Sequence, residues 1–159
     1  MLLAVLTVSD RCSQGLATDT AGPAAVELLQ QQWPQAEIAT ALLPDDEDRI
    51  AARLREWAGQ EASLILTTGG TGMGPRDRTP EATLRVLDRA APGIAEALRA
   101  KGAGQNPYAW LSRGVAGLVG STLIVNLPGS LRGASESLMA ILPLLRHAVD
   151  VATGGQTHP

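Results

Sequence analysis

Apolar runs alternate with amphipathic stretches along most of the chain. Residues 2–8 form an almost continuous apolar run, which is typical of a strand covered on both faces. Similar runs recur further on, and Gly120-Ser121 would form a tight turn between the last two of them. The pattern predicts five strands, at residues 2–8, 36–44, 63–68, 115–119 and 122–127.

Helical periods fill the intervals between these runs. Gly22 and Pro23 open one helix, which Pro34 stops, and residues 45–59 form a second with acids in its first turn. Thr79 is expected to cap a third. The remaining periods predict a short helix beginning at residue 92 and a long one over residues 131–153, which Pro143 should kink.

This alternation predicts an α/β fold in three layers. Strands that alternate with helices form a mostly parallel sheet with helices on both faces, and the last two strands add a small antiparallel hairpin. No change in composition divides the chain. We therefore predict a single domain over residues 1–154 and a frayed tail at residues 155–159.

Composition and charge narrow the class of partner. The 159 residues carry a net charge of −3 with acids and bases interspersed, which argues against a dedicated nucleic-acid-binding protein. The single cysteine, Cys12, excludes an intramolecular disulfide and a zinc site built from cysteines. No targeting or membrane-spanning segment is recognisable, so we expect a cytoplasmic protein without a membrane partner.

The candidate chemistry lies where the predicted strands end. Ser9 and Asp10 follow the first strand, Asp45 follows the second, a glycine-rich loop follows the third, and the segment NLPGS (residues 126–130) closes the last. Ligands of open parallel sheets bind beyond the carboxyl ends of the strands. These residues are therefore expected to meet at one edge of the sheet.

The glycine-rich loop, TTGGTGMGPRD, matches neither common phosphate-binding signature. Gly69 and Gly74 have the spacing of a Walker loop, but Pro75-Arg76 stand where Lys and Ser or Thr belong. Pro75 also takes the place of the third glycine of a dinucleotide-binding fingerprint. Because this fingerprint is incomplete, the loop argues against an enzyme that transfers hydride with a dinucleotide cofactor. An ordinary turn remains one explanation, and a backbone cradle for phosphate is the other.

Two aspartates near such a cradle require an explanation, because their negative charges would repel a bound phosphate. Asp45 could be a helix cap or a solvated loop residue, and Asp77 could form an ion pair with Arg76 or Arg78. Alternatively, Asp45 and Asp77 converge on one Mg²⁺, which typically takes one or two carboxylates together with phosphate oxygens.

The segment TGGTGMGPRDRTPEAT (residues 68–83) resembles the hallmark of the molybdopterin adenylyltransferase family, which includes Mog-type and Moa B-type proteins and the G domain of gephyrin. Other blocks agree in order, and they extend over nearly the whole chain. They are TVSD, DTAGP, LLPDD, PGIAEALR and LSRGVAGLVGSTLIVNLPGS. One departure follows NLPGS, where many members have a proline and then a lysine and this chain has Leu131-Arg132-Gly133.

The resemblance implies a molybdopterin-binding fold and a specific reaction in molybdenum cofactor biosynthesis. Such proteins join the terminal phosphate of molybdopterin to AMP from ATP, with Mg²⁺, and release pyrophosphate. The essential aspartates of the family fall on Asp45 and Asp77, as catalytic residues and metal ligands. The substrate- and phosphate-binding positions fall on Thr68, Gly69, Gly70, Thr71, Gly72, Ser9, Asp10, Ser112, Asn126, Gly129 and Ser130, and the same mapping reaches Glu96 and Arg113.

The resemblance also implies partners and leaves an alternative. The family is commonly trimeric, so a homotrimer or a hexamer is expected, and the molybdate-insertion enzyme of the pathway is a candidate partner. Some members are thought to bind the pterin without adenylylating it. A non-catalytic carrier of molybdopterin is therefore the alternative function, although a carrier has no need of two metal-binding aspartates.

Overall fold

The computed structural model describes residues 1–155. The predicted tail at residues 155–159 lies outside this range except for Gly155. Within the described residues, no helix combines the length and the apolar character needed to cross a membrane.

Six strands form one mixed sheet. They are β1 (Leu2–Val8), β2 (Glu37–Leu43), β3 (Leu64–Thr68), β4 (Arg89–Ala90), β5 (Ala116–Val119) and β6 (Thr122–Leu127). Their order across the sheet is β2-β1-β3-β6-β5-β4. The four strands β2, β1, β3 and β6 are parallel, whereas β5 runs antiparallel to β6 and to β4. The predicted mostly parallel sheet with an antiparallel hairpin is thereby confirmed.

Helices cover both faces of this sheet. They are α1 (Asp10–Ser13), α2 (Ala21–Gln32), α3 (Glu47–Gly59), α4 (Thr79–Leu84), α5 (Pro92–Ala103) and α6 (Leu131–Ala152), with a 3₁₀ helix at Pro107–Leu111. Alternate residues of β1 belong to two separate apolar clusters: Leu3 and Val5 pack with α2, α5 and α6, whereas Ala4 and Leu6 pack with α3 and α4. This arrangement explains why the strand has no polar face.

One local prediction needs correction, and two short elements were not predicted. Arg78, not Thr79, occupies the N-cap position of α4 and makes no side-chain cap bond; Thr79 is the first helical residue. The pattern of apolar residues does not predict the short elements α1 and β4, because neither contains a buried residue. Helix α6 runs from Leu131 to Ala152 with Pro143 inside it, and the predicted kink at this residue stays a prediction.

Candidate active site

The parallel strands bring their carboxyl ends to one edge of the sheet, where two cavities open. Cavity A, of about 450 Å³, is lined by the glycine-rich loop, the 3₁₀ helix, Ser112 and the start of α6. Cavity B, of about 350 Å³, is lined by Ser9, Asp10, Asp45 and Thr68 among others. Gly69, Gly70, Asp77 and Gly129 line both cavities.

The wall between the cavities consists of backbone that has no room for side chains. Gly69 and Gly70 have φ values of 88° and 66°, in the left-handed region that favours glycine. A Cβ on Gly69 would lie 2.2 Å from the carbonyl oxygen of Val8, and one on Gly129 would lie 2.9 Å from the Cα of Gly69. The two loops therefore touch through their main chains.

Asp45 is tied to the end of β1 by a reciprocal pair of hydrogen bonds. The Asp10 amide donates to Oδ2 of Asp45 (3.1 Å), and the Asp45 amide donates to Oδ1 of Asp10 (3.0 Å). The other carboxylate oxygen of Asp45, Oδ1, is buried and has no hydrogen-bond partner. Burial raises the pKa of Asp45, and the charges of Asp10 and Asp77 raise it further, against the opposing effect of the Asp10 amide.

Asp77 is not neutralised by the arginines that flank it in sequence. Arg76 forks onto Asp10 (2.7 and 2.9 Å) and lowers the pKa of that carboxyl, while Arg78 pairs with Glu47 (2.7 Å). Within residues 1–155, no ion pair involves Asp77. Its Oδ2 accepts a hydrogen bond from the amide of Gly74 (2.7 Å). The ion-pair explanation of Asp77 is therefore wrong.

The donor set suits a cation that is completed by substrate oxygens. Among the described residues, no group of three or more His, Cys, Asp or Glu side chains could hold a metal ion. Asp45 and Asp77 both line cavity B, repel each other, and include one buried oxygen without a partner. Two carboxylates beside a phosphate cradle are a typical protein contribution to a Mg²⁺ site, so the residues present fit this metal.

The predicted serine and threonine positions lie around the same wall. Ser9 caps α1 and Ser130 caps α6, with Oγ accepting from the amides of Cys12 (3.2 Å) and Gly133 (3.1 Å) respectively. The Thr68 hydroxyl is buried without a partner beside cavity B. Thr71, Gly72 and Ser112 line cavity A.

Asn126 is placed differently from the other predicted ligands. It lines neither cavity A nor cavity B. Its Nδ2 donates to the hydroxyls of Thr67 and Thr83 (both 3.0 Å), and its Oδ1 accepts from the Val115 amide (3.1 Å). Its polar atoms therefore already have protein partners that tie β6 to β3 and α4, and a direct role in binding stays a prediction.

Sequence reasoning missed three contributors to the site. Tyr108 is 75% exposed and lines cavity A. Arg76 bridges the glycine-rich loop to Asp10 across 66 positions of sequence. Glu81 pairs with Arg113, which lowers the pKa of Glu81. Tyr108 is the single tyrosine of the chain and lies four residues before Ser112, a signal that could have been used.

Comparison with known proteins agrees with this geometry. The family described as "Probable molybdopterin binding domain" matches residues 4–147. A molybdopterin adenylyltransferase of Helicobacter pylori is 36% identical over 96% of this chain and 88% of its own length. The molybdenum cofactor synthesis protein cinnamon of Drosophila melanogaster is 41% identical over 97% of this chain, but only over 27% of its own length. The chain spans about a quarter to a half of four of the curated relatives that it matches.

Solved structures share the whole fold. The molybdopterin biosynthesis enzyme MoaB of Thermus thermophilus is 50% identical, with a TM-score of 0.88, and the match covers 96% of each chain. A structure of MogA is 36% identical, with a TM-score of 0.90, over 96% of this chain and 99% of that one.

Proposed function

Because the chain belongs to this family of molybdopterin-binding domains, we propose that it adenylylates molybdopterin in molybdenum cofactor biosynthesis. In this reaction, an oxygen of the terminal phosphate of molybdopterin attacks the α-phosphorus of ATP. The bond from that phosphorus to the bridging oxygen of the β-phosphate breaks, and pyrophosphate leaves. The observation that supports this proposal most strongly is that Asp45 and Asp77 lie beside a backbone cradle shared by two cavities.

Two adjoining cavities suit a reaction that joins two substrates. Because Gly69, Gly70, Asp77 and Gly129 line both, the reacting phosphates of two ligands can meet there. Binding in this way replaces a bimolecular encounter by an oriented one, which is a large part of catalysis by such sites. The proposal does not assign the pterin or the adenine to either cavity.

The chain's own groups would hold the phosphates and the metal. The backbone amides of residues 70–72 and the N-terminus of α6, capped by Ser130, offer hydrogen bonds and positive potential to phosphate oxygens. The Gly69 amide instead donates to the carbonyl oxygen of Leu127 (3.3 Å). The carboxylates of Asp45 and Asp77 would hold Mg²⁺. When bound, Mg²⁺ would offset phosphate charge during the transfer. Thr68, Ser112 and the other predicted binding residues that line the two cavities would orient the substrates around this centre.

Further properties belong to the same proposal. Residues 1–154 would act as one domain in a cytoplasmic homotrimer or hexamer, and the adenylylated pterin would pass to a molybdate-insertion enzyme. The names of the relatives support the pathway.

Replacing one carboxylate tests the proposal. Asp77→Asn keeps an oxygen that can accept from the Gly74 amide, so we expect the thermal midpoint to change little. Pyrophosphate release that depends on both ATP and molybdopterin should fall by about 10²-fold or more, as for loss of a major electrostatic group. Asp48→Asn is the control, since Asp48 pairs with Arg85 and lies outside both cavities.

The outcomes separate the two candidate functions. Wild-type turnover by Asp77→Asn would show that the metal role assigned to Asp77 is wrong. A wild-type protein that binds molybdopterin but releases no pyrophosphate would favour the carrier function instead.

A further inference from the structure

A single arginine joins the two ends of the loop that carries Asp77. The Nε of Arg113 donates to the carbonyl oxygen of Gly72 (2.7 Å), and Nη2 donates to the carbonyl oxygen of Asp77 (2.6 Å). The backbone amide of Arg113 donates to the carbonyl oxygen of Thr71 (2.9 Å). Three hydrogen bonds from Arg113 therefore hold the loop at residues 71, 72 and 77. These anchors lie on either side of residues 73–76, which we call the excursion.

The excursion between these anchors is also held by Arg76, which forks onto Asp10, and by two hydrogen bonds of its own. The Asp77 amide donates to the Gly74 carbonyl (3.0 Å), and the Gly74 amide donates back to Oδ2 of Asp77 (2.7 Å). A Cβ on Gly72 or Gly74 would lie 2.9 or 2.7 Å from that same oxygen. The glycines let the carboxylate fold back onto the loop, but they also give the segment conformational freedom that must be restrained.

Glu81 orients the arginine. Nη1 of Arg113 pairs with Oε1 of Glu81 on α4, so each of the three guanidinium nitrogens has a partner. The Arg113 side chain is 32% exposed, and it lines neither cavity A nor cavity B. The pair thus acts from behind the loop and is not placed to touch a substrate.

We propose that Arg113 is a positioning residue for Asp77 and that Glu81 is the residue that orients it. The inference rests on the proposed function, because it assigns these residues to the metal-binding carboxylate of that reaction. A planar guanidinium can donate to two carbonyls and a carboxylate in fixed directions, which a lysine ammonium cannot reproduce. Holding the Asp77 backbone in place before the metal binds preorganises the metal centre. Outer partners of this kind typically affect metal affinity or activity by about 10–100-fold.

Two variants and one control test this inference. Arg113→Lys keeps the charge and loses the planar fork, while Glu81→Gln keeps an oxygen acceptor and loses the charge. Arg85→Gln is the matched control, since Arg85 is also held by carboxylates, but those of Glu47 and Asp48 on α3. Hydrogen exchange of residues 71–78 and the affinity for Mn²⁺ with a non-hydrolysable ATP analogue, followed by electron paramagnetic resonance, are measured alongside activity.

We expect exchange of residues 71–78 to accelerate in Arg113→Lys, with unchanged exchange in β1 and β3. The Mn²⁺ affinity should fall by about 10–100-fold, and the Mg²⁺ concentration for half-maximal activity should rise accordingly. Glu81→Gln should change the same quantities in the same direction by less, so the proposal stays testable if Arg113→Lys does not fold. Arg85→Gln should match the wild type.

The inference and the proposed function fail in different ways. Wild-type loop exchange and Mn²⁺ affinity in both test variants would overturn the positioning role, whatever their activity. Thermal destabilisation without a change in loop exchange or metal affinity would also overturn it, because Arg113 would then be a structural brace only. An inactive wild-type protein would refute the proposed adenylylation, while exchange and metal binding would still decide the role of Arg113.

Discussion

The Gly69→Ala variant tests whether the wall between the cavities depends on glycine. Gly69 has a φ of 88°, and left-handed backbone costs a residue with a Cβ about 1–2 kcal/mol. The added methyl group would also lie 2.2 Å from the carbonyl oxygen of Val8, which is main chain of β1 and cannot rotate away. Overpacking of this kind typically costs about 1–3 kcal/mol. We therefore expect a total loss of about 2–5 kcal/mol.

Thermal unfolding followed by circular dichroism measures this loss. For a domain of this size, 1 kcal/mol corresponds to about 2–4 °C, so the midpoint should fall by at least about 4 °C. Gly93→Ala is the matched control, since Gly93 lies in α5 with a non-left-handed φ and nothing within 4 Å of its added Cβ. Alanine should leave that site unchanged or stabilise it by up to about 1 kcal/mol. Equal midpoints for Gly69→Ala and the wild type would refute the reasoning.

Two further substitutions test the burial of Asp45 and the hydrogen bonds of Asn126. Because the pKa of Asp45 is raised, its ionisation destabilises the folded ligand-free protein as pH rises above the usual value of 3.8. Asp45→Asn should therefore stabilise that protein at pH 7 and lose this advantage in strong acid. It should also abolish turnover. A lower unfolding midpoint at pH 7 would contradict this prediction. Asn126→Ala should cost about 3 kcal/mol in urea unfolding, because it leaves the buried Thr67 hydroxyl and the Val115 amide without a partner. The Thr83 hydroxyl would keep its bond to the Thr79 carbonyl oxygen (2.8 Å). Unchanged stability with weakened ligand binding would instead make Asn126 a ligand-binding residue.

The central strands were predictable because burial on both faces produces apolar runs in the local sequence. Residues 2–8 and 63–68 are apolar on both faces, since helices cover both sides of β1 and β3. Parallel pairing then brings their ends together, so the region of the site followed from the topology. In contrast, β4 has two exposed residues, and its pairing with β5 gives no local signal.

The detailed contacts of the site were not predictable, because they join residues far apart in sequence. Arg76 was considered as a partner of adjacent Asp77, yet its guanidinium pairs with Asp10. Thr79 has the residue type of a cap, but the turn before α4 places Arg78 there and leaves the Thr79 hydroxyl buried without a partner. Asn126 bonds to Thr67, Thr83 and Val115, none of which is near it in sequence, and its predicted role in ligand binding stays a prediction. Such choices depend on tertiary packing, which a local pattern does not contain.

The most direct test of the central proposal is product analysis with purified wild-type protein. Molybdopterin, ATP labelled at the α-phosphate, and Mg²⁺ are incubated with the protein, and the pterin fraction is separated. We predict labelled adenylyl-molybdopterin and an equal amount of pyrophosphate, and both should fall by about 10²-fold or more with Asp77→Asn. Molybdopterin that is bound by the wild-type protein but recovered without label or pyrophosphate would contradict the proposal.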